Sequence, residues 1–342
     1  MSGSSLDGVD IAYCEFYQDS TWHYEIIEST TIPYDEEWVM TLKNMPFQQG
    51  SKLIEYDILY GNYIGKLVVD FLAVHKLQPA AVSSHGHTIF HNPSMNYTFQ
   101  LGNGQAIATT TGMKTISDFR IGDIQLGGQG APLVPIGDEL LFNEYDFCIN
   151  LGGIANISFI EDNKRVAFDI CPANQLLNYL SNQIGKPYDN NGAIAQLGKL
   201  DKELFINLNS HPYYRLPIPK SMSNQLVTDT FFSILDDSDA KLEDVMYTVC
   251  KHIAFQINEI IWDKRKKIMI TGGGAHNSFL ISAINHEIGT NVVLPDKTII
   301  DFKEALIFAF MGMLRLENSI NCLASATGAS RDSSSGVVFS PY

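Results

Sequence analysis

The sequence predicts an α/β protein in two halves. Short strand-like apolar runs alternate with longer segments of helical spacing, and a glycine turn sits between paired strands near the start of each half. The 342 residues suffice for two domains of ordinary size, and a hydrophobic content of 45% is enough to build their cores. Strand-turn-strand patterns at 1–16 and 145–160 hint at an internal duplication, although the two segments share little sequence.

The chain opens on MSGSSLDGVDIAYCEF, a run of small residues and an Asp7-Gly8 pair leading into a strand with Val9, Ile11 and Tyr13 on one side. Residues of so little bulk bring backbone N–H groups close to an anion, or simply supply the freedom of a hairpin turn. Helical spacing over Ser51 to Leu77 predicts an apolar face of Leu53, Ile54, Ile58, Leu59, Ile64, Leu67, Val68 and Phe71. Ala80 to Ser84 and Lys114 to Asp118 read as short strands, with SHGHT as a polar turn after the first. GGQGAP, Gly127 to Pro132, is the strongest break and the expected domain junction. The first lobe is therefore placed at 1–127, with 333–342 as a possible addition to it, and the second at 128–332.

In the second half, Tyr145 to Leu151, Ile154 to Ile160 and Arg165 to Asp169 read as strands, with Gly152-Gly153 turning the first into the second. A helix is expected from Pro172, and Leu242 to Trp262 forms a long amphipathic one. The strand Lys267 to Thr271 runs into Gly272-Gly273-Gly274, and Asp301 to Leu316 is a further helix with Ala305, Ile307, Phe308, Phe310, Met311 and Leu314 inward.

Charge and composition remove several function classes. The net charge is −15, and the densest basic run is the four residues Lys264 to Lys267, so no cationic footprint for nucleic acid exists. No apolar stretch approaches the roughly 20 residues that span a bilayer, and no secretory signal opens the chain. Five scattered cysteines favour reduced thiols and a cytoplasmic setting. No P-loop, dinucleotide fingerprint, nucleophile elbow, HExxH or CxxC occurs.

What remains is three glycine turns, around Gly3, at Gly152-Gly153 and at Gly272 to Gly274, each beside an apolar strand. Together they fit a nucleotide clamped between two lobes. Asp169 ends a strand just before a helix, which suits either a carboxylate projecting into a ligand crevice or a helix cap. Glu304, early in its helix, has the same ambiguity with the helix dipole. His85, His87 and His91 form H-x-H-x3-H, a pattern open to zinc but better suited to a polar wall or to structural histidines.

Taken together, MSGSSLDGVD, SHGHT, SDFRIGDIQLGGQGAPLVP, NLGGIANI, AFDICPANQ, YDNNGAIA, LPIPKS, ITGGGAHN, the Glu304-Ala305 helix and TGASR resemble the anhydro-N-acetylmuramic acid kinases. These are sugar kinases of the actin/Hsp70/hexokinase ATPase superfamily. The resemblance implies a two-lobed, actin-like (ribonuclease H-like) α/β fold with a central cleft for ATP and sugar, and a homodimer.

It further implies that Gly3, Ser4, Ser5, Leu6, Asp7, Gly8, Val9 and Asp10 form the first ATP-binding turn, with Asp7 close to Mg2+. Gly152 and Gly153 become the second phosphate turn, and Gly272, Gly273 and Gly274 approach the nucleoside. Asp169 becomes the catalytic base, and His85, Arg120 and Glu304 line the sugar pocket. The implied reaction opens 1,6-anhydro-N-acetylmuramic acid with water and phosphorylates O6, giving N-acetylmuramate 6-phosphate and ADP in cell-wall recycling. The alternatives are another sugar or acetate-type kinase of the superfamily, or a non-catalytic nucleotide switch. Family members also carry a strand ahead of the first turn, so an N-terminally extended form is expected to bind ATP more tightly. The chain departs from the family pattern at Ile170, Cys171, Ala173, His87 and Asn103, which places the expected differences near the sugar pocket.

Overall fold

A computed structural model describes residues 1–3 and 6–342. Among them are eleven strands: β1 (Gly8–Gln18), β2 (Trp22–Pro33), β3 (Val82–Ser83), β4 (His87–Asn92), β5 (Tyr97–Leu101), β6 (Thr115–Ser117), β7 (Phe147–Leu151), β8 (Ile154–Glu161), β9 (Lys164–Pro172), β10 (Ile268–Thr271) and β11 (Val337–Phe339). The chain divides into two compact units, 1–142 with 302–342, and 143–301. The helix Lys297–Leu316 carries the chain from the second unit back into the first.

In the first unit β1 and β2 form an antiparallel hairpin from Gly8↔Pro33 to Gln18↔Trp22, with a bulge at Tyr13/Cys14. Gly8 is required there, because a Cβ would lie 2.4 Å from the Ile32 carbonyl oxygen. A second sheet runs β11-β6-β3, and β4 and β5 form another hairpin. The SHGHT segment is thus partly strand: Gly86 turns the chain with φ +74 and His87 opens β4.

The helix Gly50–His75 forms where its spacing predicts, but its buried face is Tyr60, Gly61, Ile64, Gly65, Val68 and Phe71. Ile54, Ile58 and Leu59 of the expected face are exposed instead. Gly61 and Gly65 cause this rotation. They admit the helix Gly104–Thr111 so closely that a Cβ on either would come within 3 Å of Asn103, Ala106 or Thr110.

The expected junction at 127/128 lies inside the first unit rather than between units. Gln129 N–H donates to the Thr327 carbonyl, Ser330 N–H to the Leu126 carbonyl and Gly130 N–H to the Asp123 carboxylate, so the glycine segment is stitched to its own surroundings. The C-terminal return is also longer than 333–342, starting at Phe302.

The second unit holds one mixed sheet, β10-β7-β8-β9, in which β10 and β7 are parallel and the others antiparallel. β7 and β10 are almost wholly buried, as their unbroken apolar runs require. The helix Leu242–Ile260 buries Val245, Met246, Val249, Cys250, Ile253, Ala254 and Ile257, a stripe at helical spacing. It packs on the helix Ser278–Ile288, which Asn277 caps through Leu280 N–H and Gly289 ends with φ +78.

Candidate functional site

Because β7 and β10 are parallel neighbours, their carboxyl ends reach the same sheet edge, and each carries a glycine turn there. Gly152 and Gly153 join β7 to β8. Their carbonyls accept from the first turn of the helix Asn174–Asn182: Gly153 from Ala173 and Gln175 at 2.8 and 3.1 Å, Gly152 from Asn174 at 3.2 Å. The neighbouring turn folds onto the same residues. A Cβ on Gly272, which has φ +83, would meet Asn150 Oδ1 at 2.2 Å, and one on Gly274 would meet Leu151 and Asn174. Among the described residues no protein acceptor is recorded for the N–H groups of Gly152, Gly153, Gly273 or Gly274. These amides are available as backbone donors, which suits an anion. A groove of about 530 Å3 opens beyond Gly274, between Ala275, His276, Ser278 and Ser282.

Asp169 lies in the same unit near the end of β9, opposite Asn156, where a bulge displaces Ile170. It does not cap the helix that follows. Its backbone is fixed on both sides, by Asp169 N–H to the Lys220 carbonyl at 3.0 Å and by Tyr213 O–H to its own carbonyl at 2.6 Å. One carboxylate oxygen accepts from Met222 N–H at 2.8 Å, and the other has no hydrogen-bond partner among the described residues. Burial pushes this carboxyl up to about 6, against the pull of the Met222 N–H. A carboxylate poised near neutrality with one open oxygen can take a proton from water or a hydroxyl.

The first unit gathers His85, Arg120 and Glu304. His85 is 5% exposed. Its Nδ1 lies 3.0 Å from the Gly86 carbonyl, and its Nε2 accepts from Arg120 Nε at 2.9 Å. The ring is thus neutral with the proton on Nδ1, consistent with a pKa held well below its ordinary value by burial and then by Arg120. Both nitrogens are engaged within the protein, so His85 orients Arg120 and presents only ring surface outward. Arg120 Nη1 donates to the Gly130 carbonyl at 2.7 Å, and Nη2 has no hydrogen-bond partner among the described residues. Burial lowers the Arg120 pKa to about 10 while Glu304 raises it; burial raises the Glu304 carboxyl while Arg120 pulls it back.

The opening segment is closed by Asp10 N–H to the Met1 carbonyl at 2.9 Å, and Leu6 turns with φ +57. Ser4 and Ser5 lie outside the described residues. Val9 is in the core at 2% exposure and the Asp10 carboxylate accepts from Thr31 Oγ1 at 2.6 Å, whereas Asp7 is exposed. The three histidines of H-x-H-x3-H go separate ways. His87 Nδ1 bonds Ser2 Oγ at 2.9 Å and His91 Nδ1 bonds Thr98 Oγ1 at 3.1 Å.

A family model for the anhydro-N-acetylmuramic acid kinases matches residues 1–341. The chain belongs to this family. It is therefore a kinase, an ATP-dependent phosphotransferase. The anhydro-N-acetylmuramic acid kinase of Saccharophagus degradans is 34% identical, covering 100% of this chain and 98% of the relative. That of Aliivibrio fischeri is 32% identical over 99% and 97%. Among solved structures, an activator of 2-hydroxyisocaproyl-CoA dehydratase from Clostridium difficile with bound ADPNP aligns over 90% of this chain and 96% of its own, at a TM-score of 0.42 and 16% identity. No helix among the described residues is long and apolar enough to cross a membrane.

Most of the departures from the family pattern carry structural contacts in their own unit. Ile170, Cys171 and Ala173 are at most 1% exposed in the core of the second unit. Asn103 caps the helix Gly104–Thr111 through Ala106 N–H and bonds Asp57. Sequence reading missed Asn150, which packs against Gly272, Asn174, which packs against Gly274 and donates to the Leu151 carbonyl at 2.9 Å, and Asp123, which anchors the Gly130 loop. NLGG and PANQ adjoin the glycines and carry the first two; nothing local marks Asp123.

Proposed function

We propose that this chain hydrolyses the 1,6-anhydro bridge of 1,6-anhydro-N-acetylmuramic acid and transfers the γ-phosphoryl group of ATP to O6, yielding N-acetylmuramate 6-phosphate and ADP. The observation that carries the reading is Asp169, a rigidly held carboxylate with one open oxygen and a pKa near 6. In this mechanism Asp169 takes a proton from water as the water oxygen bonds to C1. The C1–O6 bond breaks, and the electron pair left on O6 attacks the γ-phosphorus, releasing ADP. A kinase acting on a ready-made hydroxyl needs no such activation of water at carbon.

Gly152, Gly153, Gly273 and Gly274 would hold phosphate and nucleoside through their N–H groups, a reading supported by the lack of an internal acceptor for them among the described residues. In the first unit Gly3, Leu6, Asp7 and Gly8 would contribute to ATP binding, and Arg120 with Glu304 would hold the sugar, with His85 fixing the guanidinium. Mg2+ would neutralise the charge gathering on the phosphates. Asp7 suits it as an exposed carboxylate, because Mg2+ usually takes only one or two protein oxygens and fills its shell with phosphate and water. The test is ADP release coupled to appearance of a sugar phosphate. Asp169→Asn should abolish it while ATP still binds, and normal turnover by that variant would remove Asp169 from the mechanism.

A further inference from the structure

Two glycine-containing segments, Gly127–Pro132 and Thr327–Arg331, lie about 200 residues apart, and one buried carboxylate joins them. Asp123 is 1% exposed. Its Oδ2 accepts from Gly130 N–H at 2.7 Å, and its Oδ1 accepts from Thr327 Oγ1 at 2.7 Å and from Cys322 Sγ at 3.2 Å. Gly128 passes so close that a Cβ would lie 2.2 Å from Oδ2, which explains glycine there. Gly130, held at φ +66, in turn offers its carbonyl to Arg120 Nη1, and Arg120 Nε is held by His85.

The geometry points to Asp123 as a positioning residue for Arg120. Gly130 transmits the constraint through the two peptide groups that flank its Cα: Asp123 fixes its N–H and Arg120 reads its carbonyl. Cys322 and Thr327 fix the carboxylate from the opposite side, so these two residues of the C-terminal return bear on the guanidinium through Asp123 and Gly130. Both ends of Arg120 that meet protein are then rigid, and Nη2 has one direction to point. This inference rests on the proposed role of Arg120 at the sugar.

The experiment compares Asp123→Ala, Asp123→Asn and Thr327→Val with the wild-type chain in steady-state kinetics on both substrates, with thermal unfolding alongside. Asp123→Ala leaves the Gly130 N–H without its partner and should lower kcat/KM for the anhydro sugar roughly ten- to a hundredfold through misplacement of Arg120. KM for ATP should stay within twofold. The Asn side chain can still accept from Gly130 and donate to Thr327 Oγ1, so it should restore most of the sugar term. Thr327→Val should give an intermediate sugar defect. Equal losses on sugar and ATP that track the fall in melting temperature would overturn the assignment, as would sugar kinetics unchanged in a folded Ala variant. A wild-type chain that phosphorylates another sugar would overturn the substrate reading instead, while a selective sugar defect of Asp123→Ala on that other sugar would still support the positioning role.

Discussion

Replacing Asp169 by Asn separates the cost of holding a buried carboxylate from its use. The side chain keeps its shape, and its oxygen still accepts from Met222 N–H. The carboxyl rises from an ordinary value of 3.8 to about 6, which corresponds to about 3 kcal/mol at ~1.36 kcal/mol per pH unit. Partial solvent access reduces this to about 1–2 kcal/mol. The sign follows from proton binding. The folded chain holds this proton more tightly than the unfolded one, so the group's stabilisation is full below 3.8 and is lost as pH rises through 6. Thermal or urea unfolding should therefore find the Asn variant as stable as wild type near pH 4 and about 1–2 kcal/mol more stable at pH 8. Turnover should fall by about 10²–10⁴ above pH 6, where the wild-type carboxylate is ionised. An Asn variant that is less stable at pH 8, or one that keeps near-normal turnover, would refute this account of Asp169.

Four further outcomes follow from the same geometry. The wild-type pH–rate profile should show an acidic limb near 6, because protonation of Asp169 below that pH removes the base; His85, buried neutral, should add no limb of its own. Gly272→Ala, with φ +83 and a Cβ crowding Asn150, should lose about 1–3 kcal/mol in unfolding experiments. Gly152→Ala meets nothing closer than 3.4 Å and should unfold normally yet bind ATP at least about tenfold more weakly by calorimetry; unchanged affinity would remove that turn from the phosphate site. His85→Phe keeps the ring packed on Phe308 but deletes the acceptor for Arg120 Nε, so the KM for the sugar should rise about tenfold while that for ATP holds.

The parts of this protein legible in the sequence are those with local causes. Strands β7 to β10 announce themselves by apolar runs broken at glycines, and Leu242–Ile260 by its stripe. The helix Gly50–His75 was legible as a helix but not in its facing, because glycine at 61 and 65 contributes nothing to an apolar count yet decides which side another helix can approach. Strand β2 and the β4–β5 hairpin mix polar and apolar residues on half-exposed faces, so no alternation marks them. The GGQGAP segment looks like a junction on composition. It is instead anchored to Asp123 through its buried Gly130, and that carboxylate is also held by Thr327, about 200 positions away and beyond any local pattern. Family motifs single out Asp169, Arg120 and His85 as candidates, but only the fold shows that both His85 nitrogens are engaged and that Arg120 Nη2 has no partner among the described residues.

The central claim is that water, activated at Asp169, opens the anhydro bridge as O6 is phosphorylated. Mass spectrometry of the product formed from 1,6-anhydro-N-acetylmuramic acid and ATP in 18O-water tests it directly, with unlabelled product in the same water as the control for exchange at C1. The account predicts one 18O, on C1, in a sugar bearing its phosphate on O6. Phosphorylated product with the anhydro ring intact, or with label in the phosphate rather than at C1, would contradict it.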